Sequence, residues 1–467
     1  MLKKYTVLAI LIFAIGCKKK SLTKLIDSKK SIINKSVPIK NKTSRLWNQG
    51  WISVAENRSS SSKNLIELPY VLSKSVDSIN SNTILIMSGG PGNSSLNMIN
   101  GVVNSSWGKN NDIIVYEQRG TIYSKPSLVC PEIDSLRKIG LKKGLWGKSL
   151  DSLKMLGVQL CYEKFTSKNI DLNGYNTLES VEDIEELRKA LQLDKLILYG
   201  MSYSCNLMKT YAQKYPENTE ALILDSPLPH QTNYDEEAYQ NIDNTLMKII
   251  KYYSNSTDLY FKWIDYISRI KDSIFETSID SKKYRYTKNE LIDIVLFKMS
   301  SHESIPQTTT TISSLINGDH NGISDVINYY LEPSGQAMGM RYSLWISEEL
   351  PEEKEEIISL QGKIYPWLDG YAANDVSFKT SKIWKINSIY ENAKWPASNY
   401  NGPALILSGQ FDPWTPEWYG IRMLKHLPNA KHIIYSERSH LPGFTKKGFN
   451  DVYQFINTIK KNRLNVK

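Results

Sequence analysis

With 467 residues the chain is longer than one hydrophobic core usually grows, which points to one large domain with an insertion or to two domains. Its formal charge of +10 arises from 58 lysines and arginines against 48 aspartates and glutamates, dispersed and interrupted by acidic runs. No basic stripe carries interleaved aromatics, so nucleic-acid binding is excluded, and a basic surface near anionic lipid is the milder implication.

The chain opens with a basic stretch over residues 1–4 and an apolar run over 5–16, too short to span a bilayer as a mature helix. It ends in Ala14-Ile15-Gly16-Cys17, which resembles the lipobox of bacterial lipoproteins although Ala14 stands where leucine is commoner. The resemblance implies a signal peptide over 1–16, lipidation of Cys17, and a cell-envelope protein held on a bacterial membrane, periplasmic or surface-facing, by its N-terminal lipid. A plain secretory signal with an incidental cysteine is the alternative. Residues 17–46, rich in lysine and serine up to about Arg45, read as a tether.

A first stretch of globular sequence covers 47–229. Strands are expected over 50–54 and 65–72, joined by a serine-rich loop as an edge hairpin. The apolar strand 83–87 runs into Ser88-Gly89-Gly90-Pro91-Gly92, a glycine cluster that lets backbone N–H groups face a ligand, though a tight turn would look the same. Strand 112–116 leads to Glu117-Gln118-Arg119-Gly120-Thr121, where Arg119 reads as a structural hydrogen-bond hub. Val181, Ile184, Leu187 and Leu191 at helical spacing predict an amphipathic helix with Thr177 as N-cap.

The stretch 196–199 then reads as a strand buried on both faces. It turns through Gly200-Met201-Ser202-Tyr203-Ser204 into a helix that carries Leu207, Met208, Tyr211 and Ala212 on one side and stops at Pro216. A serine at such an apex needs a strained backbone and small neighbours two positions away, which Gly200 and Ser204 supply. A buried serine in an ordinary turn is the bland alternative. Strand 221–224 follows, ending in Asp225-Ser226-Pro227.

Residues 230–395 change character, with long helical patterns rich in tyrosine and tryptophan and no clear buried strands. They are read as a helical cap inserted over the carboxyl ends of the sheet, their aromatic stripes as core. The first pattern resumes over 396–467. Strand 404–408 leads to Asp412, the short strand 433–435 leads to His440, and a helix is expected over 451–459. The alternation of strands and helices predicts an α/β chain with a doubly wound, mostly parallel sheet. In such a sheet all strand ends share one rim, so Ser202, Asp412 and His440, each just past a strand, can converge. Among the cysteines after Cys17, Cys130 and Cys161 lie in one segment and are the expected disulfide, leaving Cys205 reduced and packed behind Ser202.

The blocks Val54-Ala55-Glu56-Asn57-Arg58, Ser88-Gly89-Gly90-Pro91-Gly92, Gln118-Arg119-Gly120-Thr121, Gly200-Met201-Ser202-Tyr203, Asp412-Pro413-Trp414-Thr415-Pro416 and Ser439-His440 resemble, in residues and order, the prolyl and tripeptidyl aminopeptidase branch of the α/β-hydrolases. The likeness runs from about Trp47 to the C-terminal helix. Departures are Ser88 where proline-releasing members carry histidine, Glu117 for an aspartate, Ile122 for a glycine and Ser204 for a glycine.

The resemblance implies an α/β-hydrolase fold and a serine exopeptidase acting on short peptides without metal or other cofactor. Ser202 would be the nucleophile, His440 the base, Asp412 its orienting acid, and the amides of Gly90 and Tyr203 the oxyanion donors. It also implies a cap carboxylate for the substrate α-amine, which places Glu348 first and Glu349 as alternate in Trp345-Ile346-Ser347-Glu348-Glu349; a solvated acidic run continuing through Glu356 is the other reading. The same triad would equally serve a carboxylesterase, and a surface binding protein that has lost the chemistry is the reading from a different class.

Overall fold

The computed structural model describes residues 32–33, 35–76, 81–230, 232–391, 395–396 and 399–465. The lipobox resemblance and Cys17 lie outside them. No helix of the described residues is long and apolar enough to cross a membrane.

Among the described residues nine strands form one sheet in the order β1-β2-β3-β5-β4-β6-β7-β10-β11. They are β1 (Ile32–Ile33), β2 (Trp47–Ala55), β3 (Leu65–Ser73), β4 (Thr83–Met87), β5 (Asp112–Tyr116), β6 (Leu196–Met201), β7 (Thr219–Asp225), β10 (Ala404–Gly409) and β11 (Ala430–Tyr435). From β5 to β11 every pairing is parallel, whereas β1, β2 and β3 add antiparallel at one edge. This is the α/β-hydrolase fold.

Register sets the site. Met87 pairs with Gly200, Met201 with Asp225, Leu407 with Asp225 and Gly409 with Tyr435, so five neighbouring strands finish level on one rim. β6 shows why the strands read as continuous apolar runs: Leu196 and Leu198 enter the core on one face of the sheet, and Ile197, Tyr199 and Met201 enter the core on the other. The first face is covered by α3 (Thr177–Ala190), α4 (Ser204–Lys214) and α8 (Glu417–Leu424), the second by α9 (Lys446–Asn465).

Four expectations need correction. The N-cap of α3 is Asn176, whose Oδ1 accepts from Glu179 N at 2.9 Å; Thr177 is the first helical residue, and its hydroxyl is used elsewhere. Helix α9 begins at Lys446 rather than 451, because Thr445 Oγ1 accepts from Gly448 N at 3.1 Å and nucleates a polar first turn that carries no apolar period. The described part of the tether is docked: Ile32 and Ile33 pair with Ile52 and Trp51, Val37 is buried, and the Arg45 guanidinium reaches the carbonyls of Lys74, Gly108 and Asn111.

The fourth concerns residues 230–395, which hold α5 (Tyr234–Ser254), α6 (Lys288–Ser300), α7 (Met338–Glu348) and further helices but also an antiparallel hairpin of β8 (Phe275–Ile279) and β9 (Lys282–Tyr286). Much of that hairpin is exposed, so it lacks the apolar run that would announce a strand. An additional helix pair, α1 (Pro131–Lys142) and α2 (Gly147–Thr166), is joined by a Cys130–Cys161 disulfide. Its Ile133, Val158 and Phe165 share a hydrophobic cluster with Met340, Tyr342 and Trp345 of α7, so the cap has a first piece ahead of residue 230.

Candidate active site

The turn after β6 is dictated by its neighbours. Ser202 has φ 54, the left-handed region, and its amide donates to Asp225 O at 2.9 Å. A methyl on Gly89 would lie 2.7 Å from Met201 O and 2.8 Å from Ser202 Cβ, and one on Gly200 would meet Cys205 Cα at 2.7 Å. Both positions must be bare for the turn to close. Ser204, which stands in place of a glycine, is fully buried and useful: its Oγ accepts from Met201 N at 2.8 Å and lies 2.9 Å from Met87 O, stitching β6 to β4. The Cys205 thiol is buried behind the turn and held above its ordinary pKa by burial and by Asp225, an inert environment for sulfur.

Across the rim Asp412 is wholly buried, with every acceptor position filled. Its Oδ1 accepts from the amides of Trp414 and Thr415 at 2.9 and 3.0 Å. Its Oδ2 accepts from Thr415 Oγ1 at 2.8 Å and from His440 Nδ1 at 2.8 Å. A carboxylate can only accept here, so the His440 proton sits on Nδ1 and Nε2 keeps a lone pair. Burial pushes the Asp412 pKa up, but the His440 charge and four hydrogen bonds hold it below the ordinary value. Burial likewise disfavours a charged His440, yet Asp412, with a smaller part from Asp225, holds that imidazole above its ordinary value.

The serine turn and the histidine loop hang on the same dipeptide. Asp225 O takes the Ser202 amide at 2.9 Å, while Ser226 Oγ takes Leu441 N at 2.9 Å and Asp225 Oδ1 takes Gly443 N at 3.2 Å. Ser226 and Leu441 both have positive φ, 54 and 63, so each loop bends sharply at the contact. Asp225 is buried, which pushes its carboxyl up to about 7.

The glycine loop after β4 lies beside the serine turn. Among the described residues neither the Gly90 nor the Tyr203 amide donates to a protein acceptor. Cap residues fix the loop: Arg341 Nη1 donates to Gly90 O at 2.7 Å and Ala337 N to Gly92 O at 2.9 Å. From below, buried Glu117 accepts from Ser94 Oγ at 3.0 Å and from the amides of Leu96 and Tyr123.

Arg119 and Arg58 lie apart from the loops that carry Ser202, Asp412 and His440. Arg119 is fully buried, with both arms on Asp183 at 2.7 Å and further bonds to the carbonyls of Glu56 and Gly174. Arg58 joins Glu179, Asp183 and Glu186, so these two motif arginines bolt α3 to the edge hairpin.

The two cap glutamates part company. Glu348 is buried with its oxygens on Thr177 N at 2.5 Å and Thr177 Oγ1 at 2.7 Å, sealing the start of α3; burial pushes its pKa up to about 7. Glu349 is also buried, yet no donor among the described residues reaches its carboxylate. Burial, then the charges of Glu348 and Asp235, hold it well above the ordinary range. Asp235 and Glu353 complete a buried acidic cluster, with Asp235 held by Asn374 and Trp345. Sequence reasoning missed Arg341 and the Asp225–Ser226 support, for which no motif signal exists; Thr415 lay unremarked inside the Asp412 block.

The sheet order and the strand-end loops give this chain the α/β-hydrolase fold. A family model described as alpha/beta hydrolase fold matches residues 82–273. YuaR of Escherichia coli (strain K12), named as a hydrolase, is 27% identical over 148 residues, 31% of this chain and 27% of its own. Serine protease Hip1 of Mycobacterium tuberculosis (strain ATCC 25618 / H37Rv) is 27% identical over 158 residues, 31% of this chain and 29% of its own. The matched stretch thus spans less than a third of the length of either relative.

Proposed function

We propose that the protein is a serine exopeptidase that removes N-terminal residues or short peptides, with Ser202, His440 and Asp412 as its triad and its N-terminus lipidated at Cys17 on a bacterial membrane. One observation carries the reading: a buried Asp412 bonded to His440 Nδ1 at 2.8 Å, on the rim where Ser202 stands at a φ of 54. A serine hydroxyl is a poor nucleophile until an imidazole removes its proton. His440 Nε2 takes that proton as Ser202 Oγ bonds to the scissile carbonyl carbon, then returns it to the departing amine; water hydrolyses the acyl-enzyme by the same route. The amides of Gly90 and Tyr203 hold the oxyanion, each worth roughly a hundred- to a thousandfold in rate.

Peptide rather than ester specificity is favoured by the buried acidic cluster at the end of α7, which suits a substrate ammonium, and by the likeness to serine protease Hip1. Glu349, which no donor among the described residues reaches, is the carboxylate assigned to that ammonium. The test is labelling by a fluorophosphonate, with Ser202→Ala as control, followed by turnover of aminoacyl and tripeptidyl anilides against an aryl ester. Labelling that needs Ser202, with anilide turnover, is expected. Ester turnover alone would leave a carboxylesterase, and absence of labelling would remove the enzyme reading.

A further inference from the structure

The histidine loop is gripped from the cap side as well. His302 follows α6 in the insertion and is half-buried. Its Nδ1 accepts from Ser439 N at 3.1 Å, and its Nε2 faces Leu441 O at 3.4 Å. Those residues flank His440. Because an amide N–H can only donate, Nδ1 is the acceptor and the His302 proton sits on Nε2. The same end of α6 reaches the acid loop, where Trp414 Nε1 donates to Ser300 Oγ at 3.0 Å, and Phe411 N donates to Arg438 O at 2.8 Å between the acid and histidine loops.

We propose that His302 is a positioning residue for the triad: the cap supplies the imidazole that fixes the backbone on both sides of His440, so cap placement and base orientation are coupled. The inference rests on the triad reading above. A charged His302 would set an N–H on Nδ1 against the Ser439 N–H, donor against donor, and release the clamp. The charged groups facing it are Glu303 from its own segment, Arg438 from the histidine loop and Asp412 from the acid loop, with His440 between the clamped residues. Burial dominates and keeps His302 below the ordinary imidazole pKa, so the clamp holds at neutral pH.

The test compares the full chain with His302→Ala and His302→Asn, following the second-order rate of fluorophosphonate labelling and anilide kcat and KM from acid to neutral pH, with thermal melts as a folding check. Asparagine places an acceptor where Nδ1 stands and cannot be protonated. The alanine variant should lose about ten- to a hundredfold in labelling rate and kcat at neutral pH with KM little changed. His302→Asn should recover most of it. On the acid side the parent should fall more steeply than tenfold per pH unit as both imidazoles charge, while His302→Asn falls no more steeply than tenfold. If the alanine variant does not fold, the acid limb of His302→Asn decides. Equal rates and superimposable pH profiles would overturn the proposal while leaving the hydrolase reading intact; a parent that is not labelled at all would overturn both.

Discussion

Arg341 of the cap helix and Gly90 of the glycine loop are joined by a 2.7 Å hydrogen bond from guanidinium to carbonyl. Among the described residues the loop's other bond to the cap is the Ala337 amide on Gly92 O, so Arg341 is the side chain that holds the Gly90 carbonyl and, through it, the adjoining amide. A displacement of about 1 Å in a reacting arrangement costs on the order of a hundredfold. Arg341→Met should therefore lower kcat about a hundredfold for anilide and ester alike, with KM within a few-fold and the melting temperature nearly unchanged. Loss confined to KM would reassign Arg341 to substrate binding.

Ser204 tests the serine turn from beneath. Its hydroxyl satisfies Met201 N at 2.8 Å in a wholly buried position, and Ser204→Ala would strand that amide at a cost of about 1–3 kcal/mol. Urea unfolding should show that loss. Ser204→Gly, though smaller still, should be no better, because the missing bond rather than the volume is what matters here. A glycine variant as stable as the parent would show the hydroxyl to be dispensable.

What the sequence made legible follows from the physics of each part. Parallel strands buried on both faces are written as short apolar runs, so 83–87 and 112–116 coincide with β4 and β5, and Asp412 stood out because it trails such a run, whereas His440 follows β11, a largely uncovered edge strand that is legible only in Ile433, Ile434 and Tyr435. Cap contacts are illegible for the opposite reason. Arg341, Glu348 and Asp235 meet the core through single side chains on amphipathic helices, and no periodicity says which polar residue turns inward. Glu348, ranked first for the amine, is spent on Thr177, a partner 171 positions away in the chain.

The Asp412–His440 pair gives a pH signature with a definite sign. Labelling needs a neutral His440, and its pKa is held above the ordinary imidazole value, so the rate should rise with pH through an ionisation above about 6.5. Asp412→Asn should cut kcat about ten-thousandfold and move that ionisation down. For stability, the lowered Asp412 pKa contributes above the unfolded carboxylate value and is lost as pH falls through the folded one. The raised His440 pKa contributes fully below the unfolded imidazole value and is lost as pH rises through the folded one. The melting-temperature gap between parent and Asp412→Asn should thus be widest between about pH 4 and about pH 6.5. A gap that is flat with pH would mean that the pair is not ionised in the folded protein.

The two glutamates make separable predictions. Glu349 is buried and no donor among the described residues reaches it, so a substrate ammonium would supply a partner, and a charge-assisted bond of about 1.5–3 kcal/mol corresponds to roughly ten- to over a hundredfold in kcat/KM. Glu349→Gln should lose that factor on peptides with a free N-terminus and nothing on their N-acetylated counterparts. Glu348 is already satisfied by Thr177, so Glu348→Gln should act on stability first. Its folded pKa of about 7 lies above the unfolded carboxylate value; the favourable contribution is complete below the latter and vanishes as pH rises through about 7. Relative to the parent, Glu348→Gln should therefore melt lower at pH 5 and recover toward pH 8. If the parent cleaves free and N-acetylated peptides equally well, neither carboxylate reads an amine and the exopeptidase proposal falls, whatever the melts show.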